Sequence, residues 1–381
     1  MNGRFHMQRM LLLVLLLCSM TLLATDITFS EGLLQQAESG DAEAQYGLGM
    51  AYYEGNGIKQ NYFEAARWYR KAADQGYAEA QYRLGCMYEE GKGLKKDFSE
   101  ALHWLRMAAD QEHISAQSSL GSLYLWGSPD VKTGISEGVK WYLKAAERGD
   151  IMAQYNLGWM FRDGFGVRKD YQEALKWFRR AADQKFTLAK HGLASMYRDG
   201  KGVDQDYCEA AKWYRKAADK GLSSAQYELG SMYYYGRGVK HDYTEAVRWM
   251  SKAAERGNTD AQNDLLYFSE QGLAEAQYHV GLMYHEGKGV EQDNSEAYYW
   301  FRKAAEQGHV EAQYMLGLSH KTGIGGLLDN EEAYFWFIIA ATSGHESAIE
   351  SRNNAARDLS QEQQDKVQNR ANEWLEENKM P

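Results

Sequence analysis

Small and apolar residues recur at three- and four-residue spacing across residues 78–90. They are Ala80, Leu84, Gly85 and Tyr88. This spacing places side chains on one face of a helix, so it predicts a first helix with one buried side. Gly91 and Gly93 then interrupt the pattern. Glycine tolerates the positive φ that ends a helix, so we expect a short loop there.

A second run with helical spacing follows the glycine loop. It comprises Ala101, Trp104, Ala108 and Ala109. Asp97 stands before it and Glu100 follows three residues later, a pairing like the capping box that begins many helices. The pair recurs as Asn61/Glu64, Asp170/Glu173, Asp206/Glu209, Asp242/Glu245, Asp293/Glu296 and Asp329/Glu332. Residues 78–113 are therefore predicted to form two helices joined by a loop.

Two independent markers repeat along the chain with the same period. Tryptophan recurs at Trp68, Trp104, Trp141, Trp177, Trp213, Trp249, Trp300 and Trp336, with spacings of 36, 37, 36, 36, 36, 51 and 36 residues. Glutamine in an Ala-x-Ala-Gln sequence or a close relative recurs at Gln45, Gln81, Gln117, Gln154, Gln226, Gln262, Gln277 and Gln313, and Lys190 fills the missing place. We expect this glutamine to make a hydrogen bond between helices.

Neither helix of such a unit can bury its face alone, so stacked units must share a continuous core. The predicted fold class is an all-α solenoid of two-helix repeats. Full units are expected at 42–77, 78–113, 114–150, 151–186, 187–222, 223–258, 274–309 and 310–345.

The repeat resembles the Sel1-like repeat family, a relative of the tetratricopeptide repeat. The match is carried by Ala78-Glu79-Ala80-Gln81-Tyr82-Arg83-Leu84-Gly85, then Met87-Tyr88, Gly91-Lys92-Gly93 and Glu100-Ala101-Leu102-x-Trp104, and it extends over residues 42–345. The resemblance implies a right-handed superhelix of antiparallel helix pairs used for protein–protein contact. It also implies an adaptor of the kind often exported or associated with the bacterial envelope.

Two segments break the period. In the third repeat, Gly127-Ser128-Pro129-Asp130 replaces the usual glycine loop, and Gly134 takes the place of the capping acid, so we expect a longer, mobile loop. Residues 259–273 keep the start of a first helix and the end of a second but lack the loop between them. We predict a single helix there and a bend in the solenoid axis; a deletion without functional meaning is the alternative.

The ends of the chain differ from the repeats. Residues 1–25 combine Arg4 and Arg9 with an apolar stretch from Met10 to Ala24, as a secretory signal peptide does. An uncleaved anchor and a lipoprotein cysteine at Cys18 are the alternatives. Residues 26–41 are predicted to form an N-terminal capping helix and residues 346–381 C-terminal capping helices, with Ser360 and Gln363 capping the last one. We therefore expect an exported protein, periplasmic or secreted.

Composition and charge limit the fold and the classes of partner that the chain could bind. The chain has only 2 prolines among 381 residues, which favours helix throughout, and a formal charge of −10, which argues against nucleic acid or an anionic membrane as the main partner. After cleavage Cys86 and Cys208 would remain, and they give no disulfide framework. We expect no membrane span in the mature chain, a monomer, and an unknown protein partner.

Non-repeating positions of the first helices are the candidate partner-binding residues, because first helices line the concave surface of such solenoids. They are Tyr53, Glu54, Glu89, Glu90, Trp126, Trp159, Arg162, Asp163, Arg198, Asp199, Tyr234, Tyr235 and His285. Aromatic residues with charged neighbours are common interface anchors. Packing between units or simple solvated surface is the alternative for each.

No residue pattern indicates catalysis, a metal or a cofactor. The Gly-x-Gly loops follow helices and lack a Gly-Lys-Ser/Thr ending, so they are not phosphate loops. His279 and His285 lie on different faces of a predicted helix. We therefore expect a scaffold and not an enzyme. The alternatives are a penicillin-binding or β-lactam-hydrolysing enzyme, like cysteine-rich relatives with a cysteine pair per repeat, or a structural part of envelope polysaccharide machinery.

Overall fold

A computed structural model describes residues 27–127 and 134–378. Within these ranges the chain forms 20 α-helices and no strand. The helices are α1 (Glu31–Glu38), α2 (Ala42–Glu54), α3 (Tyr62–Asp74), α4 (Ala78–Glu90), α5 (Phe98–Asp110), α6 (Ile114–Trp126), α7 (Ile135–Glu147), α8 (Ile151–Asp163), α9 (Tyr171–Asp183), α10 (Thr187–Asp199), α11 (Tyr207–Ala218), α12 (Ser223–Tyr235), α13 (Tyr243–Glu255), α14 (Thr259–Glu270), α15 (Ala274–Glu286), α16 (Asn294–Glu306), α17 (Val310–Thr322), α18 (Asn330–Thr342), α19 (Glu346–Ala356) and α20 (Gln361–Glu377).

First helices end where the sequence predicts. At the end of α4, Gly91 adopts a φ of 77° and its N–H donates to the carbonyl oxygen of Met87 at 2.9 Å. Gly93 has a second role, because a Cβ atom there would lie 2.4 Å from the carbonyl oxygen of Tyr62 in the preceding repeat. The glycine loop thus terminates a helix and allows close backbone contact between repeats.

Second helices begin at the predicted acidic caps. The Asp97 carboxylate accepts hydrogen bonds from the backbone N–H groups of Ser99 at 2.9 Å and Glu100 at 3.1 Å. The Glu100 carboxylate accepts a hydrogen bond from the indole N–H of Trp104 at 3.1 Å, so the second half of the pairing fixes the tryptophan. Glu245 holds Trp249 in the same way at 3.1 Å.

Glycine at the eighth position of a first helix lets the two helices of a repeat approach closely. A Cβ atom on Gly85 would lie 2.8 Å from the Cγ atom of Leu105, and one on Gly281 would lie 2.6 Å from the ring of Phe301. Leu105 and Phe301 are both buried. The predicted small-residue contact between helices is therefore a steric requirement.

The repeated glutamine joins each repeat that carries it to the second helix before it. The Gln81 amide donates to the carbonyl oxygen of Ala73, at the end of the preceding second helix, over 3.1 Å. Gln111 in turn donates to the Gln81 side-chain oxygen at 2.7 Å. The same bond to a preceding carbonyl is made by Gln45, Gln117, Gln154, Gln226, Gln262, Gln277 and Gln313. The predicted hydrogen bond between helices is confirmed.

The chain divides into two compact units, Met1–Leu193 with Lys201–Val203 and Ala194–Gly200 with Asp204–Pro381. In each unit consecutive helices pack in pairs. Buried alanines and leucines alternate there with one large aromatic or aliphatic residue per second helix, such as Tyr69, Tyr142, Phe301 and Phe337. The predicted all-α solenoid of two-helix repeats is confirmed.

Residues 259–270 form one helix, α14, which takes both roles of a repeat. Like a first helix, it uses Gln262 to donate to the carbonyl oxygen of Ala254 at 3.0 Å. Like a second helix, it offers the carbonyl oxygen of Ser269 to Gln277 at 3.1 Å. Its eighth residue is Leu266 in place of glycine. The bend expected here stays a prediction.

The other irregular segments are partly described. Helix α7 begins at Gly134 without a side-chain cap, as the missing acid predicts. The expected mobile loop at 128–133 and the signal sequence at 1–25 lie outside the described residues. Ser360 and Gln363 form a complete capping box at the start of α20, as predicted. Ala37 of α1 accepts the bond from Gln45, so α1 acts as the second helix that precedes the first repeat.

Candidate protein-binding surface

In the first unit, the C-terminal ends of α2 and α4 meet through Tyr53 and Lys92. The Lys92 ammonium donates to the Tyr53 hydroxyl at 3.2 Å and pairs with the Glu90 carboxylate at 2.6 Å. Burial raises the pKa of Tyr53 above its ordinary value. Glu54 is exposed beside this group, and Glu89 is half-buried. Four of the candidates therefore lie at neighbouring helix ends, where Tyr53, Glu90 and Lys92 are held in place.

Trp126 lies at the end of α6 and packs against the loop of the next repeat. Its ring stacks on Phe165 with centroids 5.1 Å apart and an interplanar angle of 4°. Trp126 is half-buried, so one edge stays accessible. This contact between repeats limits how far the indole can serve as an anchor for a partner.

Trp159, Arg162 and Asp163 form a small group on α8. The Arg162 guanidinium lies 3.6 Å from the centre of the Trp159 ring, a cation–π contact. Arg162 also donates two hydrogen bonds to the Asp163 carboxylate, both at 2.7 Å. Asp163 is exposed, and Trp159 rests edge-on against Phe178 at 5.3 Å. The sequence candidates of this helix do come together.

In the second unit, Arg198 lies between two carboxylates. It bonds Asp199 at 2.8 Å and Glu228 of the next first helix at 2.5 Å. Burial raises the pKa of the nearby Tyr214 hydroxyl, and the charge of Glu228 adds to that shift. The group is a fixed ion-pair network, so Arg198 presents a compensated charge.

Tyr234 and Tyr235 end α12, and their rings meet edge to face at 5.0 Å. Tyr234 also stacks on Phe268 of α14 at 4.6 Å, whereas Tyr235 is 60% exposed. His285 lies elsewhere, half-buried at the end of α15, where Nδ1 is 3.2 Å from the side-chain oxygen of Asn294. His285 is therefore fixed within its own repeat.

Sequence reasoning missed three residues around this tyrosine pair. Tyr243 is 48% exposed and its ring centre lies 5.3 Å from that of Tyr234. Tyr267 of α14 is 54% exposed, and its hydroxyl and the Asp264 carboxylate both act electrostatically on Tyr234. The available signal was Tyr267 itself, the only tyrosine at the ninth position of a first helix in the printed sequence.

Histidines at the start of first helices are a second missed feature. His113 accepts a hydrogen bond from the backbone N–H of Ala116 at 3.0 Å through Nδ1, and its Nε2 lies 2.7 Å from Glu79 at the start of α4. His309 repeats the arrangement with Glu275 at 3.0 Å. The histidine at 345, spaced 36 residues from 309, was the available signal.

These histidines change the acidity of their partners. Hydrogen bonds from His279 and His309 hold the pKa of Glu275 far below its ordinary value. Burial alone would raise the pKa of Glu79, but the bond from His113 and the charges of His113 and Arg83 lower it. Both carboxylates therefore hold, as ionised groups, the histidine that caps the next first helix.

Other chemistry is sparse in the described ranges. They contain no cluster of histidine, cysteine and carboxylate side chains able to hold a metal ion, and no disulfide. Cys86 is buried and Cys208 exposed. Within residues 27–127 and 134–378, no helix combines the length and apolar character needed to span a membrane.

Tandem helix pairs, glutamine bonds between them and variable helix ends define a repeat protein of the α-solenoid class. The Sel1 repeat profile matches residues 42–77, 78–113, 114–150, 151–186, 187–222, 223–258, 274–309 and 310–345. The chain therefore belongs to the Sel1 repeat family, as its sequence resemblance predicts. Such a repeat scaffold is suited to protein–protein interaction.

Two solved structures are similar over most of the chain. One is c5321, a protective antigen of uropathogenic Escherichia coli with an SLR fold: 30% identity, TM-score 0.55, covering 91% of this chain and 94% of that one. The other is a Sel1 repeat protein from Oxalobacter formigenes: 31% identity, TM-score 0.52, covering 88% and 97%. The comparison with curated proteins gave no match.

Proposed function

We propose that the protein is an exported, non-catalytic adaptor that binds a protein partner through the ends of its first helices. The observation that carries this proposal is a contrast within the repeats. Buried positions of the first helices hold alanine, leucine and glycine in most repeats, with Val280 and Ala194 as conservative exceptions. The twelfth position instead varies in chemistry and holds Tyr53, Glu89, Arg162, Tyr234 or His285. A nearly constant framework with variable, half-buried helix ends suits selective recognition.

The chemistry of these ends supports a protein partner. Tyrosine, tryptophan and arginine are enriched at the energetic centres of protein interfaces, and Trp159–Arg162 and Tyr234–Tyr235 are such groups. Ion pairs such as Arg162–Asp163 hold the side chains before binding, which reduces the entropy lost on association. The acidic balance of the chain argues against nucleic acid as the partner.

Export is proposed from residues 1–25, whose basic start and short apolar stretch are those of a signal peptide. The mature protein would then act in the periplasm or outside the cell. Intact-mass measurement of the chain recovered from cell fractions tests this step. A mass lacking residues 1–25 supports export, and a full-length chain held in the membrane supports the anchor.

Site-specific photo-crosslinking in cells tests the binding surface. A photoreactive residue replaces Tyr235 or Arg162, and the matched control replaces Tyr299, an exposed tyrosine on a second helix. We expect the same identified partner from the first two positions and not from Tyr299. The partner, purified, should bind the pure protein, and reversing the charge of Asp163 should weaken it. Equal capture from Tyr299 would contradict the proposal.

A further inference from the structure

Four tyrosines of the second unit lie around Phe268, three of them exposed, and we call this group the tyrosine cluster. It comprises Tyr234, Tyr235, Tyr243 and Tyr267. Three of them are roughly half or more exposed, and Phe268 supports the ring of Tyr234 from below at 4.6 Å. Neighbouring exposed aromatic side chains of this kind are a candidate binding site.

Carboxylates border the cluster on one side. Asp264 accepts a hydrogen bond from Tyr227, and Asp260 lies near enough to repel its charge. Burial and this repulsion raise the pKa of Asp264 above its ordinary value. A carboxylate has more acceptor sites than one hydroxyl can fill, so a cation placed here would gain a partner and relieve the repulsion.

The cluster already holds one cation of the protein itself. The Arg237 guanidinium carbon lies 4.9 Å from the centre of the Tyr235 ring. Electron-rich ring faces attract guanidinium and ammonium groups in this way. On α14, Tyr267 follows Asp260 and Asp264 by seven and three residues, a spacing that places all three on one face of the helix. Its ring centre lies 5.8 Å from that of Phe268, and it is 54% exposed.

We propose that the tyrosine cluster, together with Asp260 and Asp264, binds a lysine or arginine side chain in a basic segment of a protein partner. Ring faces and carboxylates at one place complement a cation in both shape and charge. This inference rests on the proposed adaptor function and names the chemistry of the partner. Neutral carbohydrate is the competing ligand for exposed tyrosines, and it would not need the aspartates.

Binding of synthetic peptides to the full mature chain tests the proposal by calorimetry. One peptide alternates glycine and arginine, a second carries citrulline in place of arginine, and a third carries trimethyl-lysine. Citrulline keeps the shape of arginine but has no charge, whereas trimethyl-lysine keeps the charge and cannot donate hydrogen bonds. We expect the two cationic peptides to bind and the citrulline peptide to bind at least about tenfold more weakly.

Single substitutions test whether the peptide binds at the tyrosine cluster and its aspartates. Asp264→Asn should weaken the arginine peptide about tenfold and Tyr267→Ala about fivefold, since each removes one contact with the cation. Tyr267→Phe keeps the ring and should change binding by less than about twofold. Asp219→Asn removes the same charge from an exposed site at the end of α11 and is the matched control.

Three results would overturn the proposal. Equal losses in Asp219→Asn and Asp264→Asn would mean that only net charge matters. Equal binding of the citrulline peptide, or binding of maltohexaose that Asp264→Asn leaves unchanged, would mean that the ligand is neutral. If the cationic peptides fail to bind while Tyr235 and Arg162 still crosslink one partner, the proposed function stands and this inference fails; if crosslinking also fails, both fall.

Discussion

Two neighbouring repeats pack their first helices differently. They are the seventh full repeat, residues 274–309, and the shortened repeat before it, residues 259–273. In the full repeat, Gly281 allows the second helix to bring Phe301 against the first. In the shortened repeat no second helix follows, and the eighth position is Leu266, which packs on the core itself. The eighth position therefore holds a small residue, glycine or Ala194, where a second helix approaches, and a leucine where none does.

The ninth residue of the first helix also differs between a full repeat and the shortened repeat. Trp159 occupies it in a full repeat and leans on Phe178 of its second helix, so it is half-buried. Tyr267 occupies it in the shortened repeat, has no second helix beside it and is 54% exposed. Without a second helix beside it, the ninth position is exposed surface and no longer a packing position, so substitutions in the two repeats should have different effects on stability.

The largest effect on stability is expected from a substitution at the eighth position of a first helix. Gly281→Ala places a Cβ atom 2.6 Å from the Phe301 ring and should lower the free energy of unfolding by about 2–3 kcal/mol, because a packed core cannot expand cheaply. Urea unfolding followed by far-UV circular dichroism measures it. Gly32→Ala, in an exposed helix with no neighbour closer than 4.0 Å, should instead gain up to about 1 kcal/mol. Equal effects would disprove the steric argument.

A smaller effect on stability is expected from loss of the glutamine hydrogen bond between repeats. Gln81→Ala removes two hydrogen bonds, to Ala73 and from Gln111, and should cost about 1.5 kcal/mol. Gln262→Ala in the shortened repeat removes the one bond to Ala254 and should cost about half as much. The same urea titration compares them. A larger loss at Gln262 would mean that the shortened repeat is held more tightly than a full one.

Two carboxylates should give opposite dependence of stability on pH. The pKa of Glu275 is lower in the folded chain than its ordinary value of 4.5, so its stabilisation is complete above that value and is lost as the pH falls. The folded pKa of Asp264 is raised from 3.8, so its ionised form costs stability, and that cost disappears as the pH falls through the raised value.

Glu275→Gln and Asp264→Asn should therefore shift the unfolding midpoint in opposite directions at neutral pH, down for the first and up for the second. Unfolding measured across the acidic range should show both differences shrinking as each carboxylate in the unmodified chain becomes protonated. Glu270→Gln, at an exposed position of α14, is the control and should leave the pH profile unchanged. Shifts of the same sign would refute the assignment.

The smallest effect on stability is expected at Tyr267. Tyr267→Ser removes an exposed ring and should change the free energy of unfolding by less than about 0.5 kcal/mol. Trp159→Ser, at the same position of a full repeat, should cost several times more because its ring contacts Phe178 and Arg162. Thermal unfolding of the two variants compares them. Similar losses would show that Tyr267 is a core residue and not part of a binding surface.

The sequence predicts the helices because their boundaries depend on local chemistry. Gly91 and Asp97 act within one turn of their own helix, and the glutamine bonds follow from the fixed period. The pairing of Asp97 with Glu100 is only half predictable, since the glutamate prefers the indole of Trp104 to the backbone. A side chain with two polar neighbours cannot be assigned from spacing alone.

The proposed binding surface is harder to predict because it joins residues from several helices. Tyr234 and Tyr267 belong to different repeats, and their approach depends on how α14 packs. Trp126 and His285 are half-buried candidates that contact Phe165 and Asn294, and their part in binding stays a prediction. Exposure differs between chemically similar residues, and no periodic pattern encodes it.

Helix α14 bonds to the helix before it through Gln262, as a first helix does. It bonds to the helix after it through the carbonyl oxygen of Ser269, as a second helix does. Both ends of α14 are thus compatible with ordinary repeats. A segment of this kind could be grafted between other repeats of the array, carrying its tyrosine and aspartate to a chosen place without redesign of either neighbour.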